Sequence, residues 1–477
     1  MTQAVEYDVV VLGAGPVGEN VADRTRAAGL STAVVESELL GGDCSYWACI
    51  PSKALLRPVI ARADSRRVPG LSGAVQGPLD TPAILARRDE QVSHWKDDGQ
   101  AGWLDSIGAR VYRGHGTLHG PRTVVVDGPE GEHHLLTARH AVAVCTGSRA
   151  VLPELPGLKG AHAWTSREAT SAREAPGRLA IVGGGVVGVE MATAWQALGS
   201  QVTLLARGDG LLPRMEPFVG EHVAAALKEA GADVRLGTSV AAVDRPGGST
   251  GPVTLVLEDG SSTEADEVLF ATGRAPRTDG IGLESVGLED GSWLSVDDSC
   301  RVEGTDWLYA VGDVNRRALL THQGKYQARI AGAAIAARAQ HVPLLGSDRW
   351  GAHTASADRF AVPQVVFSDP EAAAVGLSLA EAEKAGHRVR AVDYDIGSVS
   401  GAALYAEGYR GQARMVVDLD REVLLGVTFV GPGVGELLHS ATVAVAGEVP
   451  IDRLWHAVPA FPTISEIWLR LLETYRG

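Results

Sequence analysis

Short apolar runs alternate with amphipathic stretches along most of the chain, a rhythm that predicts strands and helices in turn. Tyr7-Asp8-Val9-Val10-Val11-Leu12 reads as a buried strand, a helix compatible with Ala22 and Ala27-Ala28 follows, and Ser31 to Val35 forms a second strand ending at Glu36. Residues 54–100 read as helical with an interruption from Pro69 to Pro78, and short strands resume between Ala109 and Val126. Ala141 to Val144 is another strand, running through Cys145 into a turn at Gly147. The rhythm restarts after the Pro-Gly link Pro153 to Gly160, with a strand Arg178 to Val182, a helical run Val189 to Leu198 and a strand Gln201 to Leu205. Glu267 to Phe270 and Trp307 to Val314 are read as strands, and Thr321 to Ala334 as helix. Beyond about Trp350 strands are expected at Pro363 to Phe367, Val389 to Tyr394, Gly411 to Asp418 and Leu424 to Val430, with helices at Leu379 to Ala385 and Gly435 to Ala446. A last helix, Ile464 to Tyr475, carries Ile464, Ile467, Trp468 and Leu471 on one stripe.

Length and composition narrow this picture. At 477 residues the chain exceeds what one core supports, and 45% hydrophobic with 21% charged residues describes a chain folded throughout. A formal net charge of -15 argues against nucleic acid or an anionic membrane face as the main partner. No apolar run reaches transmembrane length and no basic, apolar secretion leader opens the chain, so a cytoplasmic enzyme is expected. Four cysteines, Cys44, Cys49, Cys145 and Cys300, are too few for a disulfide scaffold. Cys145 is expected in a core, and Cys300 in a polar stretch. Arg62, Arg66 and Arg67 stand among acidic residues and read as a solvated surface.

Two glycine motifs carry the first chemistry. Gly13-Ala14-Gly15-Pro16-Val17-Gly18 follows a strand, opens a helix and is succeeded by a strand ending in Glu36, the order of a dinucleotide site. In that order Gly13 makes the turn, Gly15 admits the pyrophosphate, Gly18 lets helix and strand approach, and Glu36 accepts from a ribose hydroxyl. Gly183-Gly184-Gly185-Val186-Val187-Gly188 repeats it, with Gly183, Gly185 and Gly188 in the same roles. Here the second strand runs into Ala206-Arg207, with no carboxylate equivalent to Glu36. Arginine pairs with a 2'-phosphate that a carboxylate would repel, so NADPH is expected in preference to NADH, with Arg214 as a second candidate for that phosphate. Gly147 and Gly273 end two strands alike, and Asp313 ends a third where ligands meet such sheets. These three are further cofactor-binding candidates.

The stretch Gly41-Gly42-Asp43-Cys44-Ser45-Tyr46-Trp47-Ala48-Cys49-Ile50-Pro51-Ser52-Lys53 carries the second. The spacing lets one helical turn bring the two sulfurs together, making a redox pair; the alternative is two core cysteines that never meet. A helix N-terminus and the ammonium of Lys53 are expected to favour a thiolate.

The chain resembles the class I pyridine nucleotide-disulfide oxidoreductases, which include dihydrolipoamide dehydrogenase, glutathione reductase, mercuric reductase and soluble transhydrogenase. The resemblance rests, in order, on GAGPVG at 13–18, GGDCSYWACIPSK at 41–53, GGGVVGVE at 183–190, ATGRAP at 271–276, YAVGDV at 309–314, VPQVVFSDPEAAAVG at 362–376 and FPTISE at 461–466. It implies an α/β fold of two Rossmann-like dinucleotide-binding domains plus a C-terminal α+β dimerisation domain. The spans would be an FAD-binding domain at 1–155 that returns at 279–350, an NAD(P)H-binding domain at 156–278, and an interface domain at 351–477. It further implies a homodimer with FAD in each subunit, Cys49 next to the flavin and Cys44 as the interchange thiol. Gly42 would belong to the cofactor-binding set, Lys53 and Glu190 would form a pair near the flavin N5, and Asp313 would bind the ribityl chain.

One departure bears on chemistry. Disulfide-reducing relatives read His-Pro-Thr-x-Ser-Glu at the C-terminal motif, whereas Phe461 stands at the histidine position here; Glu466 is retained and counts with Cys44, Cys49, Lys53 and Glu190 among the catalytic candidates. Phenylalanine moves no proton, so the usual relay is absent. His456 and His322 are weaker stand-ins, and His439 reads as structural. Mercury chemistry lacks its C-terminal cysteine pair. The expected activity is NADPH-dependent reduction of a small disulfide through FAD and Cys44-Cys49, with a quinone, dye or second nicotinamide as the alternative electron acceptor. A non-catalytic scaffold would leave both cysteines and both fingerprints unexplained.

Overall fold

The computed structural model describes residues 4–248, 251–344 and 348–477. Residues 1–3, 249–250 and 345–347, which fall within the expected spans 1–155, 156–278 and 279–350, lie outside the described residues. The chain divides into two compact units: Met1–Pro51, Asp89–Ala150 and Arg274–Arg359 form one, and Ser52–Arg88, Val151–Gly273 and Phe360–Gly477 the other.

The first unit is built on a mixed sheet in the order Arg110–Arg113, Thr32–Glu36, Val5–Leu12, His133–Val144, Thr123–Asp127, His115–Leu118, with Leu308–Ala310 also paired to His133–Val144. Its core strands are parallel, with Val10 opposite both Ala33 and Val142 and Tyr309 opposite Ala143. Valines and alanines fill both faces: Val9, Val11 and Ala143 pack with Val21, Ala328 and Ala331 of two helices, and Val10, Leu12 and Val142 pack with Val124, Ile281, Leu283 and Leu294 on the other side. Helix Pro16–Ala27 packs on Thr321–Ala339, where Gly332 is required because a Cβ there would lie 2.5 Å from the Arg24 side chain. The expected strand Trp307 to Val314 is shorter, Leu308–Ala310, because Gly312 at φ +84° turns the chain; Asp313 therefore stands in a turn. Cys145 is buried as expected. Cys300, although its sequence neighbours are polar, is 0% exposed in the same apolar cluster as Cys145 and Tyr309.

The second unit holds a parallel sheet ordered Asp233–Arg235, Gln201–Leu205, Arg178–Val182, Glu267–Phe270, and a three-stranded antiparallel sheet of Val240–Asp244, Val253–Leu257 and Ser262–Ala265. Its C-terminal part is a five-stranded antiparallel sheet, Pro363–Val366, Glu371–Gly376, Val423–Gly431, Gln412–Asp418, Val389–Asp395. The sequence reading lacked Glu371–Gly376, an alanine-rich segment of low strand propensity placed by pairing on both edges. The last helix begins at Ile467, after a single tight turn at Ile464–Glu466, and buries Ile467, Leu471 and Leu472. Of the arginines expected to be solvated, Arg66 is exposed, whereas Arg67 pairs with Asp369 at 2.5 Å and Arg62 donates to the carbonyls of Gly77 and Ala197. No helix among the described residues is long and apolar enough to cross a membrane.

Candidate active site

In the first unit the Gly13 amide donates to the Val35 carbonyl at 2.8 Å, which fixes the turn at the strand end. A Cβ on Gly18 would lie 1.9 Å from the Gly13 carbonyl oxygen, so helix and turn meet only as glycines. The next residue of the second strand, Glu36, accepts the Ala14 amide on Oε2 at 2.7 Å and the Glu38 amide on Oε1 at 2.8 Å. Burial raises the Glu36 carboxyl above its ordinary range, and those amides oppose the rise.

The cysteine loop is tied to this motif by its backbone. Gly41 donates to the Ala14 carbonyl at 2.7 Å, and a Cβ on Gly42 would lie 2.9 Å from the Gly15 Cα. Both sit at positive φ, which glycine alone adopts freely. The two cysteines do not share a helix, contrary to expectation: Cys44 lies in the short helix Gly42–Tyr46, and Cys49 opens helix Cys49–Arg66 after a break at Trp47. Their sulfurs nevertheless meet in a hydrogen bond. The Thr321 hydroxyl, at the start of its helix, lies 3.4 Å from Cys49 Sγ and also contacts Cys44. The Cys44 thiol is raised well above its ordinary value, first by the bond to Cys49 and then by burial, while Thr321 and the Lys325 ammonium oppose the rise. The expected thiolate-favouring field is thus outweighed at Cys44. Nearby Glu19, on the first helix, is pushed by burial up to about 7, with Lys325 acting against the shift.

Asp313 accepts a short hydrogen bond from Ser148 Oγ, and Arg274 donates to Ser148 Oγ and Ser148 O at 2.7 Å each. Arg274 and Arg277 also approach Asp43, at 3.6 and 3.5 Å. Burial raises the Asp313 carboxyl, and Ser148 and Arg274 oppose it. Gly147, at φ +77° with nothing within 4 Å of a built Cβ, leaves open space beside them. Turn glycines, an amide-held acid and open space flanked by a half-buried carboxylate fit FAD: Gly13, Gly15, Gly18, Glu36, Gly42, Gly147 and Asp313 are the residues that would hold it.

In the second unit the fingerprint repeats. The Gly183 amide donates to the Leu205 carbonyl at 2.8 Å, and a Cβ on Gly188 would lie 1.9 Å from the Gly183 oxygen. Leu205 thus matches Val35, and Ala206 matches Glu36; Arg207 and Arg214 are exposed. Lys53 Nζ donates to Glu190 Oε2 at 2.7 Å and lies 4.9 Å from the Phe367 ring centroid, while the Phe367 amide donates to Glu190 Oε1 at 3.1 Å. Glu466 is buried; its Oε1 accepts from Arg470 at 2.6 Å and its Oε2 has no partner among the described residues. Phe461 is 73% exposed, and His322, His439 and His456 are exposed as well. Gly273 is exposed at φ +149°. Among the described residues no cluster of His, Cys, Asp or Glu could hold a metal.

Thr321, Lys325, Ser148 and Arg274 escaped the sequence reading. The only signal was the shared strand endings Thr146-Gly147-Ser148 and Thr272-Gly273-Arg274.

A family model described as pyridine nucleotide-disulphide oxidoreductase matches residues 7–338, and one described as the dimerisation domain of that family matches 362–471. The chain is 33% identical over 473 residues to a dihydrolipoyl dehydrogenase of Chlorobaculum tepidum, covering 98% of this chain and 96% of that protein. It is 32% identical over 465 residues to a dihydrolipoyl dehydrogenase of Thermus scotoductus, covering 96% and 95%. In fold it is similar to the HOCl-induced flavoprotein disulfide reductase RclA from Escherichia coli, solved as a Cu(II) complex, with TM-score 0.83, 23% identity and 98% and 99% of the two chains covered. LpdA from Mycobacterium tuberculosis gives TM-score 0.83 at 24% identity, with 99% and 100% covered.

Proposed function

Since the chain belongs to the pyridine nucleotide-disulphide oxidoreductase family and is an FAD-containing, NAD(P)H-dependent oxidoreductase, we propose that it reduces a small disulfide at the expense of NADPH. The observation that carries this reading is the meeting of Cys44 and Cys49 in one hydrogen-bonded pair on the Thr321 hydroxyl. When bound, FAD supplies the two-electron step between nicotinamide and sulfur.

The chain's own residues divide the remaining work. Gly13, Gly15, Gly18, Gly42, Gly147 and Glu36 hold the dinucleotide, and the Asp313 carboxylate binds its ribityl chain. Gly183, Gly185, Gly188, Gly273 and Arg207 serve the nicotinamide coenzyme, Arg207 through the 2'-phosphate. Lys53 and Glu190 form the charged pair of the second unit that serves the electron transfer. Cys44 attacks one sulfur of the substrate disulfide and the first product thiol leaves; Cys49 then attacks the Cys44 sulfur, closing the Cys44-Cys49 disulfide and releasing the second. The two protons of the cysteine thiols end on the two products, so the step balances without a histidine at 461. Glu466 is a buried carboxylate of the dimerisation domain through which the homodimer forms.

Phe461 favours a second reading, a quinone taking electrons without thiol interchange, because no imidazole stands there to move the thiol protons. Steady-state kcat/KM with lipoamide, glutathione disulfide and a benzoquinone, for the parent, Cys44→Ser and Phe461→His, separates the two. The disulfide reading expects Cys44→Ser to abolish disulfide turnover and Phe461→His to raise it by about 10²-fold at neutral pH. Quinone turnover exceeding every disulfide and unchanged in Cys44→Ser would replace it with the second.

A further inference from the structure

Behind the Gly312–Asp313 turn lies a buried polar network for which the proposed chemistry has no use so far. Helix Thr321–Ala339 presents Gln323 and Gln327, one turn apart and both buried, to Asp358, itself buried. Gln327 Oε1 accepts from the Gly312 amide at 2.8 Å and from Asn315 Nδ2 at 2.7 Å, and Gln327 Nε2 donates to Asp358 Oδ2 at 2.9 Å. Gln323 Nε2 donates to Asp358 Oδ1 at 3.0 Å. Asn315 in turn donates to the Ala310 carbonyl at 3.0 Å and accepts the Arg317 amide at 3.0 Å, so the turn is stitched from the strand end at Ala310 to Arg317.

Donor and acceptor roles in this network follow from one fixed point. A backbone N–H only donates, so Gln327 must turn its carbonyl oxygen to Gly312 and therefore its NH₂ to Asp358. Asp358 Oδ2 must then accept. The turn has little freedom otherwise: Gly312 sits at φ +84°, and a Cβ there would lie 3.0 Å from the Val17 side chain. Burial pushes the Asp358 carboxyl up to about 6, with Arg317, Gln327 and Gln323 opposing and Asp298 adding to the rise. At neutral pH it is mostly the double acceptor that the two amides require.

We propose that Gln327, braced by Asp358, is the positioning residue of the Gly312–Asp313 turn and so sets where the Asp313 carboxylate meets the FAD ribityl chain. The inference rests on the reading of Asp313 given under Proposed function. It singles out a residue that acts through the turn and touches no cofactor itself.

An amide–carboxylate exchange tests it on the holoenzyme. Gln327→Glu keeps an acceptor for Gly312 and Asn315 but opposes two carboxylates where an amide now bridges them. Adding Asp358→Asn returns a donor to that contact and leaves an acceptor for Gln323. FAD dissociation, followed by the fluorescence of released flavin, should accelerate about tenfold in Gln327→Glu and return to within about twofold of the parent in the double variant. The flavin visible spectrum should shift and recover in the same order. A double variant as leaky as Gln327→Glu overturns the proposal. Gln327→Ala, which adds no charge, guards against a single variant that does not fold; FAD release within twofold of the parent there also overturns it. Asp313→Asn separates the underlying reading: faster FAD release upholds it whatever the exchange gives, and unchanged release removes it together with the proposal.

Discussion

Lys53→Met should cost the second unit stability that Glu190→Gln restores. Glu190 is 5% exposed and its carboxylate has the Lys53 ammonium at 2.7 Å and one backbone amide at 3.1 Å. At an effective dielectric of about 20, charges this close attract by about 6 kcal/mol before desolvation is counted. Removing one partner of a fully buried pair costs about 3–5 kcal/mol, because the other charge is left uncompensated. Lys53 is 35% exposed, so water screens the pair and partly replaces the ammonium in the variant. The expected loss is therefore about 2–3 kcal/mol, with the lost Phe367 contact included. Thermal unfolding should shift down by roughly 5–10 °C, since each kcal/mol moves a unit of this size by about 2–4 °C. Differential scanning calorimetry and urea unfolding of parent, Lys53→Met and Lys53→Met/Glu190→Gln would read this directly. The double variant, with no buried charge, should recover at least half of the loss. A single variant within 1 °C of the parent, or a double variant no better than the single, would refute the assignment of Lys53 as the charge that Glu190 depends on.

Two further outcomes bear on coenzyme and thiol. The parent should show higher kcat/KM with NADPH than with NADH, and Arg207→Ala should narrow that preference by about tenfold, as loss of one charge-assisted phosphate contact implies; equal or better use of NADH by the parent contradicts the reading. In the reduced protein, iodoacetamide should label Cys44 slowly at pH 7 and about tenfold faster per pH unit up to beyond pH 9, because a raised thiol stays protonated until then. Cys49→Ala removes the largest cause of that rise and should bring labelling to lower pH, whereas a parent rate already level below pH 8 would mean that Cys44 is a thiolate after all.

How much of this was legible in the chain depended on whether the cause was local. Gly13, Gly15, Gly18 and Glu36 stand within one strand-helix-strand unit, where spacing alone dictates their roles, and the second fingerprint was readable for the same reason. The meeting of Cys44 and Cys49 was expected, but not its geometry: the break at Trp47 places them on two helices, and the mutual hydrogen bond raises the Cys44 thiol against the field invoked for it. Cys300 has polar sequence neighbours, yet the sheet carries it into the core. Glu371–Gly376 was unreadable because alanines make a strand only when partners on both sides supply the ladder. Gln327, Asn315 and Asp358 show no periodicity or motif; their relation exists only once the turn at Gly312 meets the helix that follows it. Lys53 and Glu190, far apart in sequence, were linked by resemblance before the 2.7 Å contact linked them physically.

If the enzyme works as proposed, electrons from NADPH reach one cysteine pair and no other. Oxidised holoenzyme is treated anaerobically with NADPH, denatured, alkylated and mapped by mass spectrometry, with an untreated sample beside it. NADPH should create new alkylatable thiols at Cys44 and Cys49, while Cys145 and Cys300, both buried in the first unit's core, are labelled equally with and without it. Flavin reduced by NADPH with no change at Cys44 and Cys49 would contradict the account, and leave the pair as structure rather than relay.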